Sequence, residues 1–137
     1  MSARPLRSPS PPSLLGCALA LVAVKLALMV VGFGRTFATG RWLVRRRGAE
    51  VVTPAVLSDA VRRVALVAAF FPGRALCLEQ SVTLWLLLRR RGIDAELRLG
   101  VQPYPFGAHA WVEHRGEPVN EDPEFVRTFT ILPSFAR

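Results

Sequence analysis

The spacing of apolar residues changes near Gly92, and this change constrains the fold more than any other feature of the sequence. Before it, apolar residues recur every three to four positions, which is typical of one face of a helix. After it, residues 95–101 alternate between apolar and polar, as a strand does. The apolar side of this strand would hold Ala95, Leu97, Leu99 and Val101. Helices followed by a small antiparallel sheet make an α+β domain, and 137 residues suffice for one core.

Three helices are predicted before the change. The first covers the apolar run 14–34, the second covers 55–70 after Pro54, and the third runs from Cys77 to a stop at Gly92. One face of the second helix would be lined by Val56, Ala60, Val64 and Val67. These helices suggest a division into a disordered tail at 1–13, the apolar helix with a basic connector at 14–54, and a core at 55–137.

The apolar run 14–34 has two other interpretations. A basic segment before an apolar stretch is typical of a signal peptide, and the run is nearly long enough to span a bilayer. Lys25 at its centre opposes insertion, because a lysine there costs about 2.5–3.5 kcal/mol. We therefore expect a buried or partner-facing helix in which Lys25 reaches solvent at an edge, with membrane association as the alternative.

Charge and cysteine content narrow the function classes. The net charge of +8 includes the runs 45–47 and 89–91 and suggests an acidic partner, but no nucleic-acid-binding motif accompanies it. Arginines at helix ends explain the excess more simply, so nucleic acid is not an expected partner. Cys17 and Cys77 are sixty positions apart without metal-ligand spacing, which predicts free thiols and neither a metal nor another cofactor.

Cys77 and His109 are candidates for nucleophilic catalysis. Cys77 begins a predicted helix, where the helix dipole favours thiolate and free N–H groups can receive an oxyanion. His109 lies on a predicted strand at 108–113 between small residues that leave room around the ring. The simpler alternatives are a small buried cysteine and an ordinary strand histidine. His114, five positions on, would lie on the other face and be exposed to solvent.

The residue opposite His109 depends on the register of the next hairpin, whose third strand is predicted at 117–121 and is followed by a short strand at 129–132. A three-residue loop at 114–116 pairs Trp111 with Val119 and His109 with Glu121. A two-residue loop at 115–116 places Asp122 opposite His109 instead. The shorter loop requires positive φ at Arg115, which arginine resists, so turn chemistry favours Glu121. The like-charge pair of Glu113 with Glu117 that the longer loop creates argues mildly for Asp122.

Three motifs together resemble one family. They are C-L-E-Q-S from Cys77, L-L-R-R-R-G-I from Leu87, and H-A-W-V-E from His109, followed by Gly116 and V-N-E at 119–121. Over roughly residues 55–135 the chain resembles the leader peptidase of lasso peptide biosynthesis, the B protein or its split form B2. The resemblance implies a transglutaminase-like, papain-related fold.

The resemblance also implies an activity and partners. The family member is a cysteine peptidase that removes the leader from a ribosomally synthesised precursor and frees the core amine for a separate ATP-dependent cyclase. It implies Cys77 as nucleophile, His109 as base and an acidic third member, for which Glu121 and Asp122 are the candidates. It further implies the split form, in which a leader-recognition protein, B1, presents the precursor. The alternatives are a non-catalytic transglutaminase-like scaffold that docks a precursor or partner, and a small membrane-associated protein.

Overall fold

A computed structural model describes residues 11–43, 53–70, 77–104 and 106–132. The helices are α1 (Leu14–Val30), α2 (Phe33–Leu43), α3 (Pro54–Phe70), α4 (Cys77–Arg90) and α5 (Pro123–Val126). The strands are β1 (Glu96–Pro103), β2 (Phe106–His114), β3 (Glu117–Pro118) and β4 (Thr130–Ile131). The predicted α+β class is confirmed: α1 to α4 precede a four-stranded sheet, and the short α5 lies between its last two strands in the chain. Most of the predicted tail and the arginine run 45–47 lie outside the described residues.

The apolar run forms a shorter helix than predicted. Ser13 caps α1 by accepting a hydrogen bond from the Gly16 N–H at 3.0 Å, and the helix ends at Val30. Gly32 then adopts a φ of +82°, a left-handed conformation that interrupts the helix before α2 begins. Helix α2 occupies much of the predicted basic connector, for which no helix bounds were predicted.

Helix α1 packs on α3 and α4 through one face. Cys17, Leu21 and Val24 are buried on that face, whereas Leu19 and other large apolar side chains remain exposed on the opposite one. Lys25 lies at the boundary, with its Nζ 3.9 Å from Glu79 Oε2 of α4. Within the described ranges, none of the helices has both the length and the apolar character needed to cross a bilayer.

Helices α3 and α4 build the centre of the core. The buried positions of α3 are Val56, Ala60, Val64 and Ala68, so the predicted face is correct except that Val67 is only half-buried. In α4, buried positions run continuously from Ser81 to Trp85 because the helix is covered by α1, α3 and the sheet. Gly92, with a φ of +78°, ends this segment as predicted.

The sheet has the order β3-β2-β1-β4, and all its pairs are antiparallel. Leu97 pairs with Val112 on the face that packs against α4, and both side chains are fully buried. Because side chains alternate along a strand, His109, Trp111 and Glu113 project from the other face. The predicted strand at 129–132 is confirmed as β4.

The β2–β3 hairpin has the two-residue loop, so the register that turn chemistry favoured was wrong. Glu113 pairs with Pro118 and His114 with Glu117, while Arg115 and Gly116 adopt φ values of 52° and 79°. Both central residues are left-handed, as a type I′ turn requires. This register avoids the Glu113–Glu117 pair and leaves Glu113 free to accept hydrogen bonds on its own face. The third strand also ends at Pro118, three residues earlier than predicted.

Candidate active site

His109 and Glu121 are in direct contact. The ring atom Nε2 of His109 lies 2.7 Å from Glu121 Oε2, and both side chains are partly buried. Since a carboxylate accepts hydrogen bonds, this contact assigns the Nε2 proton to the neutral imidazole. The other ring atom, Nδ1, has no hydrogen-bond partner among the residues that the structure describes. An imidazole held in this way can accept a proton at Nδ1.

Glu121 reaches His109 from a bend rather than from a paired strand. The last ladder bond beyond β3 joins the Val119 N–H to the Val112 carbonyl at 2.8 Å. The chain then turns away, and Asp122 caps α5 by accepting from the Glu124 N–H at 2.9 Å. Strict continuation of the observed register would have placed Asp122 opposite His109, but the bend gives that position to Glu121.

Aromatic rings surround the imidazole. The ring centroid of His109 lies 5.4 Å from that of Phe125, 5.8 Å from Phe129 and 6.2 Å from Trp111. Gly100 of β1, which pairs with His109 of β2, makes room for these rings. A Cβ at Gly100 would lie 2.7 Å from Phe129 Cβ and 2.8 Å from Trp111 Cη2. These contacts restrict the rotation of the imidazole.

Trp111 and Glu113 belong to the structural support of this face. Trp111 is fully buried, but it does not face Val119 as the longer loop predicted, since Val119 bonds to Val112 instead. Its indole Nε1 donates to Glu113 Oε1 at 3.1 Å, and Arg98 Nε donates to Glu113 Oε2 at 3.0 Å. The buried Glu113 carboxylate therefore has donors on both oxygens, as a buried charge requires.

His114 is less exposed than predicted. Its Nδ1 lies 2.6 Å from the carbonyl oxygen of Asp94, and its side chain is partly buried. It projects from the face of β2 opposite His109, so the prediction that the two histidines separate is correct. The contact with Asp94 ties the hairpin to the segment before β1.

Cys77 is the first residue of α4, and its thiol is free and half-buried. Helix α4 packs on β2, and one turn after Cys77 the Ser81 hydroxyl donates to the Ala110 carbonyl at 2.9 Å. Ala110 follows His109 directly. The structure thus fixes the first turns of the cysteine helix against the strand that carries the histidine.

Cys17 contrasts with Cys77. It is fully buried in the core, and this burial raises the pKa of its thiol, although Arg91 and Arg63 oppose the shift. A thiol whose pKa is raised stays protonated near neutral pH and is a poor nucleophile. Across the part of the chain that the structure describes, no three His, Cys, Asp or Glu residues lie close enough to hold a metal ion.

Two polar residues near the site carried no predicted role. Ser81 and Asn120 appear in the motifs quoted above, yet their chemistry is invisible before the hairpin and helix are placed together. Asn120 Nδ2 donates to Ser81 Oγ at 3.1 Å, and Asn120 Oδ1 accepts from the Val112 N–H at 2.8 Å. The one available signal was Ser81, a small polar residue on the apolar side of a helix, one turn after the cysteine.

This fold and this pairing of histidine with a carboxylate define a class. A model of the transglutaminase-like superfamily matches residues 20–134, and the chain belongs to that superfamily. The superfamily predicted from the sequence is confirmed.

A search of curated proteins gives a partial relative. The chain is similar to the microcin J25-processing protein McjB of Escherichia coli, with 45% identity over 56 residues. The aligned segment covers 41% of this chain and 27% of McjB. No solved structure matches the chain.

Proposed function

We propose that the chain is a cysteine peptidase that removes the leader from a ribosomally synthesised lasso peptide precursor, with Cys77 as nucleophile and His109 as base. The observation that carries this proposal is the hydrogen bond of His109 to Glu121, because it leaves Nδ1 available as a proton acceptor. The anchoring of α4 to the His109 strand supports it, since a cysteine peptidase needs its nucleophile and base on adjoining elements.

The mechanism is acyl transfer to the thiol. Cys77 gives its proton to His109 Nδ1, and the thiolate attacks the carbonyl carbon of the bond between leader and core. The backbone N–H groups in the first turn of α4 supply donors for the oxyanion that forms. The imidazolium then protonates the departing core amine, which leaves the leader bound to Cys77 as a thioester.

Hydrolysis completes the cycle. Neutral His109 takes a proton from water, whose oxygen attacks the thioester carbonyl. The leader departs with a new carboxyl group, and the thiol of Cys77 is restored. Glu121 keeps the Nε2 proton in place in both steps and stabilises the imidazolium formed between them.

The substrate class rests on similarity. McjB is named as a processing protein for microcin J25, and the motifs of this chain resemble those of lasso peptide leader peptidases. We therefore propose a precursor peptide as substrate, a B1-type leader-recognition protein as partner, and a separate ATP-dependent cyclase as the enzyme that uses the freed amine.

The direct test is incubation with a candidate precursor, with and without a B1-type protein, followed by mass analysis. The wild-type protein should release the core with a free amine, whereas Cys77→Ala and His109→Ala should abolish release without loss of the circular dichroism signal of the folded state. Undiminished cleavage by a folded Cys77→Ala protein would overturn the proposal.

Alkylation separates the peptidase from a non-catalytic scaffold. In the native protein, iodoacetamide at mild pH should label Cys77 alone, because Cys17 is fully buried and burial raises the pKa of its thiol. Cys17→Ala serves as the control and should leave the labelling rate unchanged. An inert Cys77 in the folded protein would favour the scaffold.

A further inference from the structure

The hydroxyl of Ser81 joins the cysteine helix, α4 with Cys77 at its start, to the histidine strand, β2 with His109. The Ser81 side chain is only 1% exposed, and its Oγ donates to the Ala110 carbonyl at 2.9 Å. The same oxygen accepts from Asn120 Nδ2 at 3.1 Å. A buried hydroxyl that loses such partners is destabilising, whereas a fully bonded one specifies a single arrangement of the elements around it.

The side chain of Asn120 supplies a hydrogen-bond acceptor to β2 where a paired strand would otherwise supply one. Backbone pairing with β2 stops after Val119, so the Val112 N–H has no further backbone acceptor on that side. Asn120 Oδ1 accepts from this N–H at 2.8 Å. The orientation of the amide is fixed, because its oxygen must face the Val112 N–H and its nitrogen must face Ser81.

Each candidate catalytic residue lies next to this bonded pair. Cys77 precedes Ser81 by one helical turn, on the same side of α4. His109 precedes Ala110, whose carbonyl Ser81 binds, and Glu121 directly follows Asn120. The pair therefore links the three segments that carry nucleophile, base and carboxylate.

We infer, on the basis of the proposed function, that Ser81 and Asn120 are positioning residues that hold the Cys77 thiol in register with the His109 imidazole and Glu121 with its Nε2. They touch neither substrate nor the reacting atoms. Their hydrogen bonds set how far α4 slides along β2 and where the bend after β3 begins.

The test compares Ser81→Ala with Thr83→Val. Thr83 is a matched control, since its hydroxyl is equally buried on α4 but donates within the helix, to the Glu79 carbonyl at 2.7 Å. Both substitutions remove a buried hydroxyl and should lower the urea midpoint, although Ser81→Ala loses two hydrogen bonds and Thr83→Val loses one. Only Ser81→Ala should lower kcat for precursor cleavage, by roughly 10–100-fold with KM little changed, because a misplaced catalytic group reduces rate at full occupancy.

Asn120→Asp supplies an independent variant if Ser81→Ala folds poorly. An aspartate keeps the acceptor for the Val112 N–H but cannot donate to Ser81, and Ser81 could donate to it only by giving up the Ala110 carbonyl, so one of the two links is lost in either case. It too should lower kcat. Equal kcat values for wild type, Ser81→Ala and Asn120→Asp would overturn the inference even though cleavage itself is confirmed.

A second readout does not require the precursor. The rate of Cys77 alkylation by iodoacetamide at pH 6 should be higher in wild type than in His109→Ala, because imidazolium stabilises the thiolate. The alkylation rate of Ser81→Ala should fall toward that of His109→Ala, whereas the rate of Thr83→Val should equal that of wild type. That pattern in a protein that cleaves no precursor would support the positioning role while refuting the proposed substrate. Identical alkylation rates in Ser81→Ala, Thr83→Val and wild type would contradict the role.

Discussion

At the scale of single residues, the bend after β3 decides which acid meets His109. Glu121 contacts the imidazole at 2.7 Å, while Asp122 uses its carboxylate as the N-cap of α5. The two adjacent acidic residues thus have separate roles: Glu121 binds the side chain of His109, and Asp122 binds the backbone N–H of Glu124. Substitution of Glu121 should therefore affect catalysis, and substitution of Asp122 should affect the start of α5.

Glu121→Gln should lower kcat by roughly 10²–10⁴-fold, because an amide cannot stabilise imidazolium and can stabilise the wrong tautomer. Asp122→Asn should leave kcat close to wild type, since asparagine and aspartate are comparable N-caps. The measurement is single-turnover cleavage of the precursor by both variants at equal enzyme concentration. A greater loss in Asp122→Asn would show that the carboxylate of Asp122 supports catalysis instead.

The sequence predicted Glu121 opposite His109 through the wrong hairpin register. The three-residue loop was favoured because arginine disfavours positive φ, yet Arg115 adopts a φ of 52° in a two-residue loop. The outcome depends on burial of Glu113 with Trp111 and Arg98, a tertiary contact outside the reach of turn preferences. The bend that brings Glu121 to the ring depends on the side chains of Asn120 and Ser81, which meet only after folding.

At the scale of secondary-structure elements, local patterns specified most of the framework. Proline at the start of α3 and glycine after α4 marked helix ends correctly, because these residues act through their own backbone conformations. Strand alternation identified β1 and β2 for the same local reason. By contrast, α2 and the short length of β3 were not predicted, since neither follows from the period of its own residues.

The β2–β3 turn provides a test of this framework. Gly116→Ala should destabilise the fold by about 1–2 kcal/mol, because alanine in a left-handed conformation brings Cβ against the following carbonyl. Gly34→Ala is the matched control: an added Cβ meets nothing within 4 Å at either glycine, but Gly34 lies in α2 without a positive φ. There alanine should be neutral or stabilising by up to about 1 kcal/mol.

Urea unfolding with an unchanged slope measures both changes. Arg115→Asn provides the opposite sign, since asparagine adopts the left-handed region more readily and suits a type I′ turn. It should raise the urea midpoint. Equal effects of Gly116→Ala and Gly34→Ala would contradict the two-residue loop.

At the scale of the whole molecule, the two halves of the chain divide the proposed chemistry. The helical half holds Cys77 at the start of α4, and the sheet half holds His109 and Glu121. Helix α1 packs on α4 from the side away from the sheet, and Lys25 adds an ion contact to Glu79 in the first turn of α4. Helix α1, whose apolar sequence also allowed a membrane interpretation, is thus part of the packing that supports α4.

Two leucines on α1 test whether this helix supports the core. Leu21 is fully buried and Leu19 is 63% exposed, although both are leucines two positions apart in one helix. Leu21→Ala should destabilise the protein by about 2–5 kcal/mol through lost burial and the cavity left behind. Leu19→Ala should change the free energy of unfolding by less than about 0.5 kcal/mol, because it empties no packed space.

The comparison is made by urea unfolding without detergent, and helix propensity cancels because the substitution is the same at both sites. If α1 packs on α3 and α4 through the face that holds Leu21, the free energy of unfolding must fall much more in Leu21→Ala than in Leu19→Ala. Small and equal effects would mean that α1 contributes nothing to the core, and a larger effect at Leu19 would place the opposite face inward. With the expected difference, loss of Leu21 should also reduce precursor cleavage near the unfolding midpoint, since α4, which begins with Cys77, would lose part of the packing that supports it.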